Sequence, residues 1–110
     1  MNPYSSKQKK VVVAAPGSTT LADITSDPDT KGKIIKIDKF VWSSNAAGDI
    51  TFNNGTDDTN LPKFFGFKDL FLDFSNAQYI GNDGLEFPRN APAKIVTTQA
   101  GEAWFRYHGE

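Results

Sequence analysis

The stretch Lys33-Ile34-Ile35-Lys36-Ile37-Asp38-Lys39-Phe40-Val41-Trp42-Ser43 decides the fold. Six of its residues are β-branched or aromatic, in two sets at even spacing, so it reads as a strand. Period 2 puts Ile35, Ile37 and Val41 on one face. It puts Ile34, Phe40 and Trp42 on the other, with Lys36 and Asp38 between them. A long strand with bulk on both faces either bends, with a bulge near Lys39, or needs a second surface to cover its other side.

The segments on either side use the same pattern. Lys10 to Ala14 is β-branched and stops at Pro16-Gly17. Thr19 to Ser26 alternates and stops at Asp27-Pro28. Asp49 to Asn53 carries Ile50 and Phe52 on one side and runs into the turn signal Asn53-Asn54-Gly55. Lys63 to Phe74 is the densest apolar run. As a strand it sets Phe65, Phe67 and Phe71 on one face with Asp69 and Asp73. Phe64, Leu70, Leu72 and Phe74 fall on the opposite face with Lys68. Gly66 and the crowd of rings disfavour a helix, and Gly66 marks a bend. Asn76 to Ile80 reads as a weak strand, Gly81 to Gly84 as a turn, and Leu85 to Phe87 as a short strand. Ala93 to Gln99 and Glu102 to His108 flank Ala100-Gly101 and read as a tight hairpin. These seven or eight short strands predict an all-β, jelly-roll-like β-sandwich over residues 11–110. Met1 to Lys10 is polar and without periodicity, and reads as a flexible N-terminal arm.

Composition narrows the function. A chain of 110 residues forms one domain and buries about 65 % of its unfolded surface. Nine Phe, two Trp and three Tyr exclude disorder. The net charge of -1 speaks against nucleic acid, which a basic face would attract. With no Cys and one His, disulfide scaffolds, thiol catalysis and His-rich metal sites fall away. His108 lacks triad partners and reads as a surface residue. Asp27, Asp29, Asp57 and Asp58 read as solvated turn residues, and Asp69 and Asp73 as charges on a sheet face or edge. No apolar run nears the ~20 residues of a membrane span, and Val11 to Ala15 is too short for an export signal. No catalytic residue, cofactor or metal site is assigned, and the chain reads as a non-enzyme.

The aromatic surplus is the one positive functional signal. A sandwich strand needs one buried face, so Phe40 and Trp42 on one strand and Trp104 on another are expected to be sheltered by a subunit or partner contact. A bulge that brings both sets of side chains inside is the alternative. Candidate partner-binding residues are Tyr4, Lys7, Lys9 and Lys10 in the arm, with Phe40, Trp42, Trp104 and Arg106. A second reading is a binding module for carbohydrate or single-stranded nucleic acid, stacking its ligand on Trp42 and Trp104.

Gly32-Lys33-Ile34-Ile35-Lys36-Ile37, the aromatic strand end through Ser44, and Asp49-Ile50-Thr51-Phe52-Asn53-Asn54-Gly55-Thr56 support one resemblance, together with the final Arg106-Tyr107-His108-Gly109-Glu110. From Gly32 to Glu110 the chain resembles small β-sandwich virion proteins of tailed bacteriophages, of the capsid decoration, cement or fibre-head type. That resemblance implies a structural protein on the capsid surface, made in the host cytoplasm and assembled as a homo-oligomer, trimer or dimer. It implies the phage major capsid protein as partner, and no membrane. It carries over no catalytic residue. The Phe-rich Lys63 to Phe74 segment departs from the Leu/Ala/Gly-rich middle of that family.

Overall fold

A computed structural model describes residues 6–74 and 84–110. The strand and turn expected over 76–83 lie outside them. The described residues form seven strands in one antiparallel sheet and no helix. They are β1 (Lys7–Val13), β2 (Gly17–Ala22), β3 (Ile35–Asn53), β4 (Lys63–Asp73), β5 (Leu85–Glu86), β6 (Ala93–Thr97) and β7 (Gly101–Gly109). The all-β reading holds.

The organising element is β3, which runs 19 residues and joins two segments that the sequence reads as separate strands. One edge of β3 pairs with β4 along most of its length. The other edge pairs first with β7 and then with β6. Beyond these, β1 pairs with β7 and β2 with β6. The sheet is therefore four long bent ribbons, two of them interrupted, which turn together along one crease. Ala14 to Pro16, Asn45 to Gly48, Phe67 and Thr98 to Ala100 lie on that crease. Gly66, at φ 78°, supplies a conformation on β4 that other L-residues avoid. Its N–H donates to Asp49 Oδ1 at 3.0 Å, across the corner.

The expected hairpin at Ala100-Gly101 is not formed. β6 and β7 both run antiparallel to β3, so they point the same way and do not pair with each other. A short polar break next to glycine signals a corner as well as it signals a reversal. Here the Thr98 N–H donates to the Asp49 carbonyl (3.2 Å), and the Asp49 N–H to Thr98 Oγ1 (2.8 Å), fixing the corner to β3. The arm boundary also moves. Lys7 to Lys10 belong to β1, paired residue by residue with Tyr107 to Trp104. Backbone pairing requires no apolar alternation, and lysines are common on an edge strand.

A β-bulge decides where the aromatics go. Ile37 pairs with Tyr107 and Lys39 with Arg106, so Asp38 is an extra residue opposite β7. One inserted residue reverses the alternation. Ile35 and Ile37 point inward before the bulge; Phe40, Trp42 and Ser44 point inward after it. This overturns the expectation that Phe40 and Trp42 meet a partner: they are 0 % and 1 % exposed. The two limbs of the bent sheet close on a shared core, where the Phe52 ring meets Phe40 at 5.0 Å, Phe74 at 5.7 Å, and Phe64 and Phe87 at 6.4 Å each. Edge-on contacts of this kind add to area burial.

Candidate interaction surface

The outer face of the limb built from β4, β3, β7 and β1 is set by strand register. The side chains lie in three rows across the strands. The central row is Phe71, Val41, Trp104 and Lys10. One flanking row is Asp73, Lys39, Arg106 and Gln8, and the other is Asp69, Ser43, Glu102 and Val12. Phe71 is 67 % exposed, Val12 59 % and Trp104 40 %. Exposed large apolar groups on neighbouring strands make a continuous patch, whereas scattered ones need no explanation. A shallow depression of about 320 Å³ lies over the central row, between Trp104, Phe71 and Arg106.

Charge is arranged around these rings. Lys10 Nζ sits 5.9 Å from the Trp104 ring centroid, within cation–π range. Arg106 grips the bulge residue Asp38 with a fork: Nε donates to Oδ1 at 3.0 Å and to Oδ2 at 2.8 Å, and Nη2 to Oδ2 at 2.6 Å. That hydrogen bonding to Asp38 raises the Arg106 guanidinium above its ordinary value, with burial acting against it. Asp38 is nearly covered, so the pair both satisfies a buried carboxylate and pins the bulge. Lys39 and Asp73 pair at 3.2 Å. On the opposite flank, Asp69 and Glu102 make no ion pair among the described residues.

The surface therefore brings together three of the residues expected to meet a partner: Lys10, Trp104 and Arg106. Phe40 and Trp42 are in the core. Lys7 is exposed on the edge strand away from Trp104. Lys9 turns toward the loop after β2, donating to the Leu21 carbonyl at 3.0 Å and lying 3.9 Å from Asp27. Tyr4 lies outside the described residues. The most exposed ring of the face, Phe71, is absent from the expected set. Its signal was the alternation of Lys63 to Phe74, which places Phe65, Phe67 and Phe71 with two aspartates and so marks that side as the wet one.

A second polar cluster lies at the end of the same limb. Lys36 Nζ lies 3.4 Å from Glu86 and 3.3 Å from Glu110, whose carboxylate accepts from His108 Nε2 at 2.7 Å. His108, expected at the surface, is 1 % exposed, because it stands beside Lys36 in the β3–β7 register and is tied to the chain end. Burial alone would raise Glu110; the hydrogen bonds from His108 and Lys36 outweigh it and hold the carboxyl below its ordinary value. Asp57 and Asp58 serve their turn: Asp57 accepts from Thr59 N–H at 3.0 Å, and Asp58 pairs with Lys63 at 3.0 Å. No group of three His, Asp or Glu able to hold a metal occurs among the described residues.

Fold and surface together describe a small all-β chain with a wet sheet face bearing aromatic side chains. No family model and no curated protein matches it. Among solved structures it is similar to the Tobacco streak virus coat protein, at 10 % identity and a TM-score of 0.38, over 99 % of this chain and 88 % of that one. A dimer of the same coat protein gives 12 % identity and a TM-score of 0.33, over 93 % and 85 %. A family two carbohydrate esterase from Cellvibrio japonicus gives 11 % and 0.29, over 96 % of this chain and 35 % of that one. Likeness at this level assigns no function.

Proposed function

We propose that this chain is a non-enzymatic structural virion protein, a decoration or cement protein of a tailed-phage head that joins its own copies and the major capsid protein. The observation that carries the reading is the Phe71–Val41–Trp104 row, an apolar band on the open face of a sheet whose core is already closed by the Asp38 bulge. Rings left outside a completed core are sheltered by another surface. The resemblance of Gly32 to Glu110 to small phage virion proteins supports the same role. Such a protein needs a rigid scaffold and sticky faces. Repeated attachment on a symmetric shell then multiplies weak contacts.

The test is co-sedimentation of the purified chain with heads of the parent phage that lack it, followed by heating of the particles. Binding that delays head disruption, and that is lost in Phe71→Ser, supports the role. A chain that ignores the heads while oligosaccharides quench its Trp104 fluorescence belongs to the binding-module reading instead.

A further inference from the structure

We propose that Asn54 is a deamidation site held shut by the folded turn between β3 and β4, so that local opening of this turn gates an irreversible ageing reaction of the chain. Asn54-Gly55 is the only Asn–Gly pair in the sequence. Glycine after asparagine is the reactive case, because no Cβ hinders its backbone nitrogen from reaching the side-chain carboxamide. The turn needs both residues for its geometry. Gly55 has φ 95°, and a Cβ built on it would lie 2.9 Å from a Pro92 ring carbon, so backbone and space both demand glycine. Asn54 shapes the turn. Its Oδ1 accepts the N–H groups of Thr56 and Asp57, each at 2.9 Å, and its Nδ2 donates to Asp57 Oδ1 at 3.2 Å. Its own N–H donates to the Asp57 carbonyl at 2.9 Å.

The reaction needs only water. The Gly55 nitrogen gives its proton to a solvent base, and its electron pair forms a bond to Asn54 Cγ. Collapse of the tetrahedral centre breaks the Cγ–Nδ2 bond, and ammonia leaves with a proton taken from water. The five-membered imide then takes up water at either carbonyl carbon. One opening gives aspartate at position 54; the other gives isoaspartate, with the backbone rerouted through the side chain. The closed turn opposes this sequence. The Gly55 N–H donates to Asn53 Oδ1 at 2.7 Å, and an amide oxygen covers that proton without being basic enough to remove it. Formation of the tetrahedral centre swings Oδ1 and Nδ2 out of the plane in which three hydrogen bonds hold them. The native rate is therefore the rate of the open turn multiplied by the fraction of time it is open. The product cannot rebuild the turn. A carboxylate at position 54 faces the Asp57 carboxylate where Nδ2 had donated, and like charges repel.

The experiment incubates the full chain at mildly alkaline pH, native and in guanidinium chloride, and follows aspartate and isoaspartate at position 54 by peptide mass mapping. Conversion should be slower in the native chain by roughly tenfold or more. Asp57→Ala removes the acceptor of Nδ2 and should raise the native rate severalfold. Asp57→Asn keeps an acceptor there and should stay near wild type, and all three chains should react alike in denaturant. Equal native and denatured rates in the wild type overturn the inference, as does an absence of conversion in denaturant. A faster native reaction also overturns it, since the Thr56 and Asp57 N–H groups would then be supporting charge on Oδ1 during attack. An unchanged native rate in Asp57→Ala, with wild-type circular dichroism, overturns the part given to the turn's hydrogen bonds. None of these readings involves a second copy or a phage head, so the virion role stands or falls separately.

Discussion

Trp42 and Trp104 occupy the same sheet, one row apart in register, yet replacement by alanine should have opposite consequences. Trp42 is 1 % exposed, flanked by Leu70 on β4 and Ala103 on β7. A buried Trp side chain removes about 150–250 Å² from water. At about 25 cal/mol/Å², less what alanine retains, its loss costs about 4 kcal/mol, within the range of large-to-small core replacements. The site cannot collapse easily. A Cβ built at Gly101 would lie 2.7 Å and 2.8 Å from two Trp42 ring carbons, and this close approach is what keeps position 101 free of a side chain. With a urea slope of about 1.5 kcal/mol/M, Trp42→Ala should lower the unfolding midpoint by roughly 2.5 M. Trp104 is 40 % exposed and stands on the wet face, so Trp104→Ala should cost about 1 kcal/mol or less in dilute monomer. The assay is urea unfolding followed by far-UV circular dichroism at two widely separated protein concentrations. Equal losses in the two variants, or a Trp42→Ala chain as stable as wild type, would refute the placement of the bulge and with it the separation of core rings from surface rings.

Three further outcomes rest on other buried groups. Thr97 is 3 % exposed and its Oγ1 finds no hydrogen-bond partner among the described residues, so Thr97→Val should raise stability by about 1 kcal/mol, read as a higher urea midpoint. Gly101→Ala places a methyl group against the Ser43 carbonyl and the Trp42 ring, and should cost about 1–3 kcal/mol with an altered near-UV tryptophan signal. Glu110 is held below its ordinary 4.5, so its pairing stabilises the fold fully above that pH and is lost as pH falls through the lowered value; Lys36 is held above 10.5 by Glu110 and Glu86 against the opposing effect of burial, so its contribution is lost only as pH rises past that value. Urea midpoints should therefore be flat between these limits as far as this cluster is concerned and fall at the acid end, with a smaller acid fall in Glu110→Gln.

Much of this was legible in the residues, and the misreadings have physical causes. The alternation of Lys63 to Phe74 placed every ring of β4 correctly, because β4 has one wet face marked by Asp69 and Asp73 and its irregularity falls near Gly66, where a bend was expected. β3 leaves two readings open beyond Ile37, a bulge near Lys39 or a covering partner, because a bulge inserts a residue without a composition of its own; the bulge forms, at Asp38. Asp38 looks like any outward charge until Arg106, 68 residues away, is seen to hold it. The corner at Thr98 to Ala100 misled because the residues that let a ribbon bend are those that let it reverse. Only the long-range pairing of β6 and β7 with β3 separates the two. Of the interaction surface, Trp104, Arg106 and Lys10 were visible one by one. Their assembly with Phe71 required the register of four strands, of which only β3 and β4 are neighbours in sequence.

The bulge also changes the form of the functional argument. The sequence predicts that an aromatic excess needs shelter: Trp104 on one strand, Phe40 and Trp42 on another. Those two are accommodated within the chain, so their count no longer bears on a partner. The excess that remains is elsewhere: Phe71 and Trp104 on one limb, and Phe65, 66 % exposed, with Phe67, 40 % exposed, at the crease beyond Asp69. These are two patches on a sheet that bends between them, so one flat contact does not cover both. A module that binds a single sugar or oligonucleotide needs one such patch. A protein that holds its own copy with one face and a shell subunit with another needs two. Replacing Phe65 with Ser should therefore leave self-association intact and weaken attachment to heads, whereas replacing Phe71 with Ser should weaken both. Sedimentation of each variant, alone and with particles, reads the difference, and equal effects of the two replacements on both measurements would remove the case for separate faces.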